Sequence, residues 1–294
     1  DNIEIDISGD HYSWLPSLGG NSIIISDDGS HVFAESGGGR VYGWDSEKND
    51  WNIVSNSFED LGFGTPEGIS FSADGSIVAL GFPTDNTNGE NSGKTSIFKF
   101  INGEWSQLGN DIYGESYRNG FSNTVEYVGF SGTSLDLSAD GNYLAIGAPK
   151  ETTWTRLNNL EGVVRIYEYK NGDWSQIGNN IYGETFQDYY GEVFDLSADG
   201  SRVAIGAGGN DGDTIDNGKR TGDYRGRVRI FEYINGNWTQ IGNNINGAAT
   251  YDHAGESLSL SADGSIIAIG SDAFGGSRND GGSIRVFEDS NGAW

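Results

Sequence analysis

Alternating carboxylates in one glycine-rich segment are the first residues that could do chemistry. Asp211, Asp213 and Asp216 lie in the sequence Asn210-Asp211-Gly212-Asp213-Thr214-Ile215-Asp216. Calcium takes about six to eight oxygen ligands, and such a loop can supply carboxylates together with backbone carbonyl groups. The spacing does not match an EF-hand, so a solvated acidic loop is the competing interpretation. Calcium is the one candidate cofactor that the sequence offers.

Aromatic and arginine side chains form the second candidate group, in segments that vary in length along the chain. Tyrosine, tryptophan and arginine are enriched in binding hot spots, and rings flanked by Asn and Asp suit stacking against sugars. Packing onto the fold is the alternative for each ring, since amphipathic aromatics serve both purposes. The candidate ligand-binding residues are Tyr117, Arg118, Trp154, Tyr189, Tyr190, Tyr224, Arg225 and Tyr251.

Residues for catalysis form no recognised constellation. The histidines are His11, His31 and His253, and the sequence contains neither Cys nor a Gly-x-Ser-x-Gly or His-Glu-x-x-His motif. Pairs of carboxylates carry no information in a chain with 43 acidic residues. We therefore predict that the protein is not an enzyme, and a hydrolase or lyase acting on polysaccharide is the less favoured alternative.

Net charge and hydropathy argue against several classes of partner. The 294 residues include 17 Lys and Arg against 43 Asp and Glu, a formal net charge of −26. Such a chain repels the phosphate backbone of nucleic acid and an anionic membrane surface. No window approaches the roughly 18 apolar residues of a membrane span, so no membrane insertion is expected. The absence of Cys and the acidity fit an extracellular or cell-surface location.

The elements that position these residues follow from an internal repeat. A Ser-x-Asp-Gly turn occurs five times, beginning at Ser26, Ser72, Ser138, Ser197 and Ser261. A short apolar run follows each turn; after a variable segment, most copies continue with an alternating apolar segment and Asn-Gly-x-Trp. Period-2 alternation predicts strands, and the Asp-Gly and Asn-Gly pairs predict tight hairpins. Each repeat therefore predicts four antiparallel strands, A to D.

Five such repeats predict an all-β fold, a β-propeller of five four-stranded blades. We expect a single domain over residues 1–294, with repeat units at roughly 20–59, 68–115, 132–184, 191–247 and 255–294. Residues 1–9 align with strand D of the third repeat, where Ile3 matches Ile177 and Ile7 matches Ile181. They are predicted to close the last blade, which would remove an exposed sheet edge.

A propeller sorts its connections by face. The short A–B and C–D turns lie on one face, here called the turn face. The variable B–C and D–A connections lie on the other, here called the loop face. Because binding residues are common in variable loops on a rigid scaffold, we predict the ligand site on the loop face. The tryptophan that recurs in each repeat, as at Trp174 and Trp238, is predicted to pack between blades.

The repeat resembles the FG-GAP repeat of integrin-α-like propellers. Gly147-Ala148-Pro149 matches the second half of that motif, and Tyr190-Gly191 and Ala254-Gly255 stand where Phe-Gly would precede strand A. The chain departs from the family in having five repeats instead of seven. It also has Leu-Ser-Ala-Asp-Gly in place of the calcium loop between strands A and B, so a calcium role is not carried over to that aspartate.

The resemblance implies an extracellular adhesion or binding module. We predict that it engages a protein or glycan through the loop face, as one component of a larger surface or virion assembly. A lectin with sugar sites between blades is the alternative.

Overall fold

The structure is a computed structural model. It describes residues 23–34, 40–54, 66–117, 127–151, 161–184, 188–209, 215–216, 219–220, 224–271, 282–290 and 292–294. Within these ranges the regular secondary structure is entirely β-strand. None of the described segments is a helix that could cross a membrane.

Five antiparallel sheets form five blades, numbered in chain order. Blade 1 contains β1 Ile23–Ile25, β2 His31–Ala34, β3 Arg40–Asp45 and β4 Asp50–Ile53. Blade 2 contains β5 Gly68–Phe71, β6 Ile77–Phe82, β7 Lys94–Ile101, β8 Glu104–Gln107 and β9 Ile112–Tyr113. Both β8 and β9 pair with β7.

The later blades repeat this order, with two short hairpins between strands. A hairpin of β10 Ser116–Tyr117 and β11 Tyr127–Val128 precedes blade 3. Blade 3 contains β12 Ser134–Leu137, β13 Tyr143–Ala148, β14 Val163–Lys170 and β15 Asp173–Tyr182. Blade 4 contains β16 Phe194–Leu196, β17 Arg202–Ala207, β20 Arg227–Ile234 and β21 Asn237–Asn246. Its B–C connection holds the hairpin of β18 Ile215–Asp216 and β19 Lys219–Arg220. Blade 5 contains β22 Ser257–Leu260, β23 Ile266–Ser271 and β24 Ser283–Glu288.

The predicted all-β, five-bladed propeller is confirmed, and the strands of each blade follow the predicted order. Blade 5 has three strands among the residues that the structure describes. Residues 1–9, the predicted closing strand, lie outside those residues, so their role stays a prediction.

Each Ser-x-Asp-Gly turn is held by its own side chains. In blade 3, the Ser138 hydroxyl donates to Asp140 Oδ1 at 2.8 Å, and Asp140 Oδ1 accepts the backbone N–H of Asn142 at 2.9 Å. Gly141 has φ +68°, a conformation that glycine adopts without steric cost. The same serine–aspartate bond recurs in the other four turns. The aspartate of the repeat therefore has a structural task in the turn.

Trp174 and Trp238 join neighbouring blades. The Trp174 indole N–H donates to the Leu108 carbonyl oxygen of blade 2 at 2.9 Å, and Trp238 donates to Ile177 of blade 3 at 3.1 Å. Both rings are buried. The backbone beneath Trp238 passes so close that a Cβ on Gly178 would lie 2.7 Å from the ring. The predicted inter-blade packing of these two tryptophans is confirmed.

The described core is divided among the spaces between blades. Leu135 and Leu137 of β12 share one cluster with Ile97 of blade 2. The first strand of each later blade thus packs its apolar side chains on the preceding blade, as Leu196 does on blade 3 and Leu260 on blade 4. Such packing fixes each blade relative to the next, which holds the loops at the blade ends in place.

Candidate functional site

On the loop face, the connections of neighbouring blades pair with each other. A glycine before the third strand of blades 2, 3 and 4 forms a parallel bridge to a residue that precedes the next blade; the pairs are Gly93 with Ser131, Gly162 with Tyr190 and Gly226 with Ala254. A Cβ on Gly162 would lie 2.1 Å from the Tyr190 carbonyl oxygen, so glycine is required for this approach. The pairing brings two loops together at one point of each of these three blade junctions.

Bulky residues at these junctions have left-handed backbone conformations. The φ angles are +51° at Phe130, +49° at Tyr189, +44° at Tyr224, +66° at Tyr251 and +48° at His253. This conformation costs a non-glycine residue about 1–3 kcal/mol and clusters at functional sites. On the turn face the non-glycine residues with positive φ are asparagines, which tolerate it. Among the described residues, aromatic side chains on strained backbone are thus confined to the loop face.

Between blades 4 and 5, the ring of Tyr224 stacks with the rings of Tyr251 and His253. We call these three residues the aromatic stack. The ring centroid of Tyr224 is 5.5 Å from that of Tyr251 at an interplanar angle of 17°, and 5.9 Å from that of His253 at 7°. Tyr224 is 38% exposed and Tyr251 is 42% exposed. The backbone N–H of His253 donates to the Tyr224 carbonyl oxygen at 3.1 Å, which joins the two loops. The stack is therefore both accessible to solvent and fixed by backbone contacts.

Charged side chains flank the aromatic stack. Glu256 Oε1 lies 3.6 Å from His253 Nδ1, and this carboxylate is about half exposed. Asp252 Oδ2 accepts the backbone N–H of Ala249 at 2.8 Å and is half-buried. Arg225 follows Tyr224 and is also half-buried. The patch thus combines aromatic faces with hydrogen-bond acceptors, and Arg225 adjoins it in sequence.

Tyr190 is a core residue, which corrects its predicted role in ligand binding. Its ring is 1% exposed and belongs to the cluster between blades 3 and 4. The guanidinium carbon of Arg229 lies 4.4 Å from the ring centroid. Burial raises the pKa of the Tyr190 hydroxyl. A ligand on the loop face cannot contact this ring, because the two blades enclose it.

The other predicted binding residues do not all meet at one place. Tyr224, Arg225 and Tyr251 lie together at the junction of blades 4 and 5, whereas half-buried Tyr189 lies at the junction of blades 3 and 4. Tyr117 in β10 is described by its backbone alone, as is the predicted metal ligand Asp216 in β18. The remaining predicted positions, Arg118, Trp154, Asp211 and Asp213, lie outside the described residues. In the part of the chain that is described, no three metal-ligating side chains converge.

His253 is the site residue that sequence reasoning missed. It precedes Ala254-Gly255 as Tyr189 precedes Tyr190-Gly191, and both have positive φ. Alignment of the repeats on this glycine could have placed the histidine beside the B–C loop.

Buried arginines support the loop face between blades 3 and 4. Arg227 is 2% exposed and forms an ion pair with Glu184 of the preceding blade. Arg229 donates to the Tyr182 carbonyl oxygen at 2.7 Å and lies 3.2 Å from Glu184. Because an uncompensated buried charge is costly, these contacts fix the two blades relative to each other.

Comparison with known proteins finds likeness in fold alone. No family model matches the chain, and no curated protein matches it. A provisionally assigned 6-phosphogluconolactonase from Bacteroides uniformis is similar with a TM-score of 0.51 at 13% identity, over 92% of this chain and 68% of that one. The topology and this likeness define the chain as a β-propeller protein.

Two further solved structures show weaker likeness. A provisionally assigned TolB from Agrobacterium tumefaciens has a TM-score of 0.46 at 14% identity, over 91% of this chain and 76% of that one. The Cps50 (Swd1) β-propeller domain from Myceliophteria thermophila has a TM-score of 0.48 at 9% identity, over 94% of this chain and 73% of that one. At these values neither structure bears on what this chain does.

Proposed function

We propose that the protein is a non-enzymatic binding module that recognises a protein or glycan through its loop face, with the site at the aromatic stack. The observation that carries the proposal is the exposure of Tyr224 and Tyr251 on left-handed backbone. Strained backbone persists only where surrounding structure holds it, and it clusters at ligand sites. The loops that carry the stack are held by the hydrogen bond from His253 to Tyr224. A ring held in place before binding loses less conformational entropy when the ligand arrives.

The setting of this activity is part of the same proposal. The FG-GAP resemblance at Gly147-Ala148-Pro149 and the acidic, cysteine-free composition support an extracellular or cell-surface module. A role as one component of a larger surface or virion assembly belongs to the same proposal.

A lectin is the second candidate, and the carboxylates beside the aromatic stack favour it. Carboxylate oxygens accept hydrogen bonds, and sugar hydroxyls donate them. Asp252 directly precedes His253 in the sequence, and Glu256 follows it by three residues. The neighbouring aromatic rings can stack against the apolar face of a sugar. A neutral glycan would therefore find both kinds of contact in one place.

A glycan array and a displayed peptide library, each probed with the full chain, test both candidates. For a ligand found in either, Tyr251→Ala should reduce the affinity by about tenfold or more, as expected for a substantial hot-spot contact. Tyr233→Ala is the matched control, because Tyr233 is 37% exposed but precedes a C–D turn on the other face. If the control loses affinity and Tyr251→Ala keeps it, the loop-face site is wrong. Turnover of an array polysaccharide, abolished by one carboxylate substitution, would instead indicate an enzyme.

A further inference from the structure

The first strands of all five blades surround a cavity of about 450 Å³. One position of these strands, two residues before the serine of the turn, faces this cavity in every blade. It is occupied by Ile24, Ser70, Asp136, Asp195 and Ser259 in blades 1 to 5. Two neighbouring blades, 3 and 4, thus place carboxyl groups where the others have apolar or hydroxyl side chains.

The side chain at this position links its blade to the next one. The Ser70 hydroxyl oxygen accepts the backbone N–H of Leu137 at 2.9 Å. Asp136 Oδ2 accepts the N–H of Leu196 at 2.6 Å, and Asp195 Oδ2 accepts the N–H of Leu260 at 2.6 Å. The two aspartates therefore hold blades 3, 4 and 5 together around the cavity.

The Leu196 N–H that Asp136 Oδ2 accepts belongs to the residue directly after Asp195, so the two carboxyl groups lie near each other beside one cavity. Two carboxylates that share a site repel each other when both are ionised, which favours a proton on one of them. The neighbouring strands contribute Ser70 and Ser259, which carry no charge. The other titratable group in the lining is the carboxylate of Asp27, and no Lys, Arg or His is among the lining residues that the structure describes. Nothing in this lining would neutralise two negative charges.

We propose that Asp136 and Asp195 form a proton-binding site that couples pH to the contacts between blades around the cavity. The pair holds one proton, while each Oδ2 keeps its hydrogen bond to the next blade. Loss of the proton leaves two neighbouring like charges, which repel each other and weaken the contacts between the joined blades.

The pH dependence of this effect has a definite sign. Burial, followed by the charge of Asp195, raises the pKa of Asp136 well above its ordinary value of 3.8. Burial raises the pKa of Asp195 as well. The folded protein therefore keeps the proton at pH values where the unfolded chain has lost it. The stability that the proton contributes is fully present below the unfolded pKa, 3.8, and is lost as the pH rises through the folded pKa.

Thermal unfolding of the full chain from about pH 4 to about pH 9 tests the proposal. Asp136→Asn retains an acceptor for the Leu196 N–H and lacks the charge. Its Tm relative to wild type should increase by about 2–4 °C over this range, the shift expected of a moderate change in stability. Asp140→Asn is the matched control from the turn of the same blade. The pKa of Asp140 is lowered, so its Tm difference from wild type should stay constant between about pH 5 and about pH 9.

Infrared spectroscopy at neutral pH gives a second measurement that does not depend on the stability of the variants. Wild type should show the C=O stretch of a protonated carboxyl group, and both Asp136→Asn and Asp195→Asn should lose it. If wild type lacks this band, or if Asp136→Asn shifts the Tm equally at every pH, the proposal is overturned. A rise in the wild-type Tm with calcium chloride that Asp136→Asn abolishes would also overturn it, because the pair would then hold a cation.

Discussion

Tyr224 and His253 lie in different connections, yet their rings stack almost in parallel, with centroids 5.9 Å apart at an angle of 7°. Tyr224 ends the B–C connection of blade 4, and His253 ends the connection from blade 4 to blade 5. The backbone hydrogen bond between them, 3.1 Å long, holds the two loops in register. The aromatic surface therefore depends on the way in which two blades pack, and it is absent from either loop alone.

Close packing of tryptophan on the preceding blade predicts a large cost for a small substitution. A Cβ on Gly178 would lie 2.7 Å from Trp238, whereas a Cβ on Gly172 would meet nothing within 4 Å. Both glycines have positive φ, so Gly172→Ala measures the backbone strain alone. We expect Gly178→Ala to lower the free energy of unfolding by about 1–3 kcal/mol more than Gly172→Ala, as overpacking does. If the two variants lose equal stability in denaturant unfolding, the Trp238 ring moves aside without cost and the packing is not tight.

Removal of the Trp238 ring should be costlier still. The ring is 4% exposed and its N–H is bonded to Ile177. Trp238→Ala should lower the free energy of unfolding by about 3–5 kcal/mol, measured in urea. A loss below about 1 kcal/mol, the size of one typical hydrogen bond, would contradict the account of inter-blade packing.

Because buried arginines support the loop face, we expect substitution of Glu184 to reduce stability more than substitution of Glu115. Glu184→Gln removes the carboxylate charge that forms an ion pair with Arg227, a side chain that is 2% exposed. Glu184 is itself 38% exposed, so we expect a loss of about 1–3 kcal/mol, less than for a fully buried pair. Glu115→Gln is the matched control, because Arg165 retains Glu151 when Glu115 is changed. Its effect should stay within about 1 kcal/mol. If both variants unfold at the same urea concentration, the buried pair does not stabilise the junction.

The exposed turn of blade 5 predicts a pH effect of the opposite sign to that of the cavity pair. Hydrogen bonds from Ser261 and then Ser265 lower the pKa of Asp263 from 3.8 to about 2. The charged carboxylate therefore stabilises the folded state above the unfolded pKa, and this contribution is lost as the pH falls through about 2. Ser265→Ala, which removes one donor at 2.7 Å, should shift the carboxyl titration of Asp263 toward its ordinary value. Carbon-detected NMR titration measures this directly, and an unchanged titration would refute the assignment.

Closure by residues 1–9 stays a prediction, because these residues lie outside those that the structure describes. Ile284 and Val286 in β24 are 77% and 65% exposed, whereas their counterparts in blade 3, Val164 and Ile166, are 0% exposed. In blade 3 the counterparts pair with Ile181 and Ile177 of strand D, the residues that align with Ile7 and Ile3. Deletion of residues 1–9 should lower the Tm and promote self-association, because it leaves an apolar sheet edge uncovered. An unchanged Tm and a monomeric truncated chain would contradict closure.

The repeat could be read from the sequence because its turns are local. Asp140-Gly141 and Asn171-Gly172 require left-handed backbone, and only a few residue types provide it at low cost. The order of strands between such turns follows from alternation, and one tryptophan per repeat indicates a shared structural task. These local features therefore predict the strands of each blade without any knowledge of the contacts between blades.

The site could be read only in part, because its geometry depends on contacts between blades. A tyrosine in a loop before a strand can pack in the core or contact a ligand, so residue type did not distinguish Tyr190 from Tyr224. His253 was passed over because its stacking partner lies 29 positions away in another loop. The cavity position of Asp136 and Asp195 was likewise hidden, since alternation tells which sheet face a residue occupies and nothing about the next blade.

Footprinting of a bound ligand tests the central claim most directly. With the strongest glycan or peptide from the array and the library bound, side-chain labelling should decrease at Tyr224, Tyr251 and Glu256. Labelling beside the turns, at Asp173 and Ser201, should be unchanged. Protection at Asp173 and Ser201 with none at the aromatic stack would contradict the claim that the protein binds through its loop face.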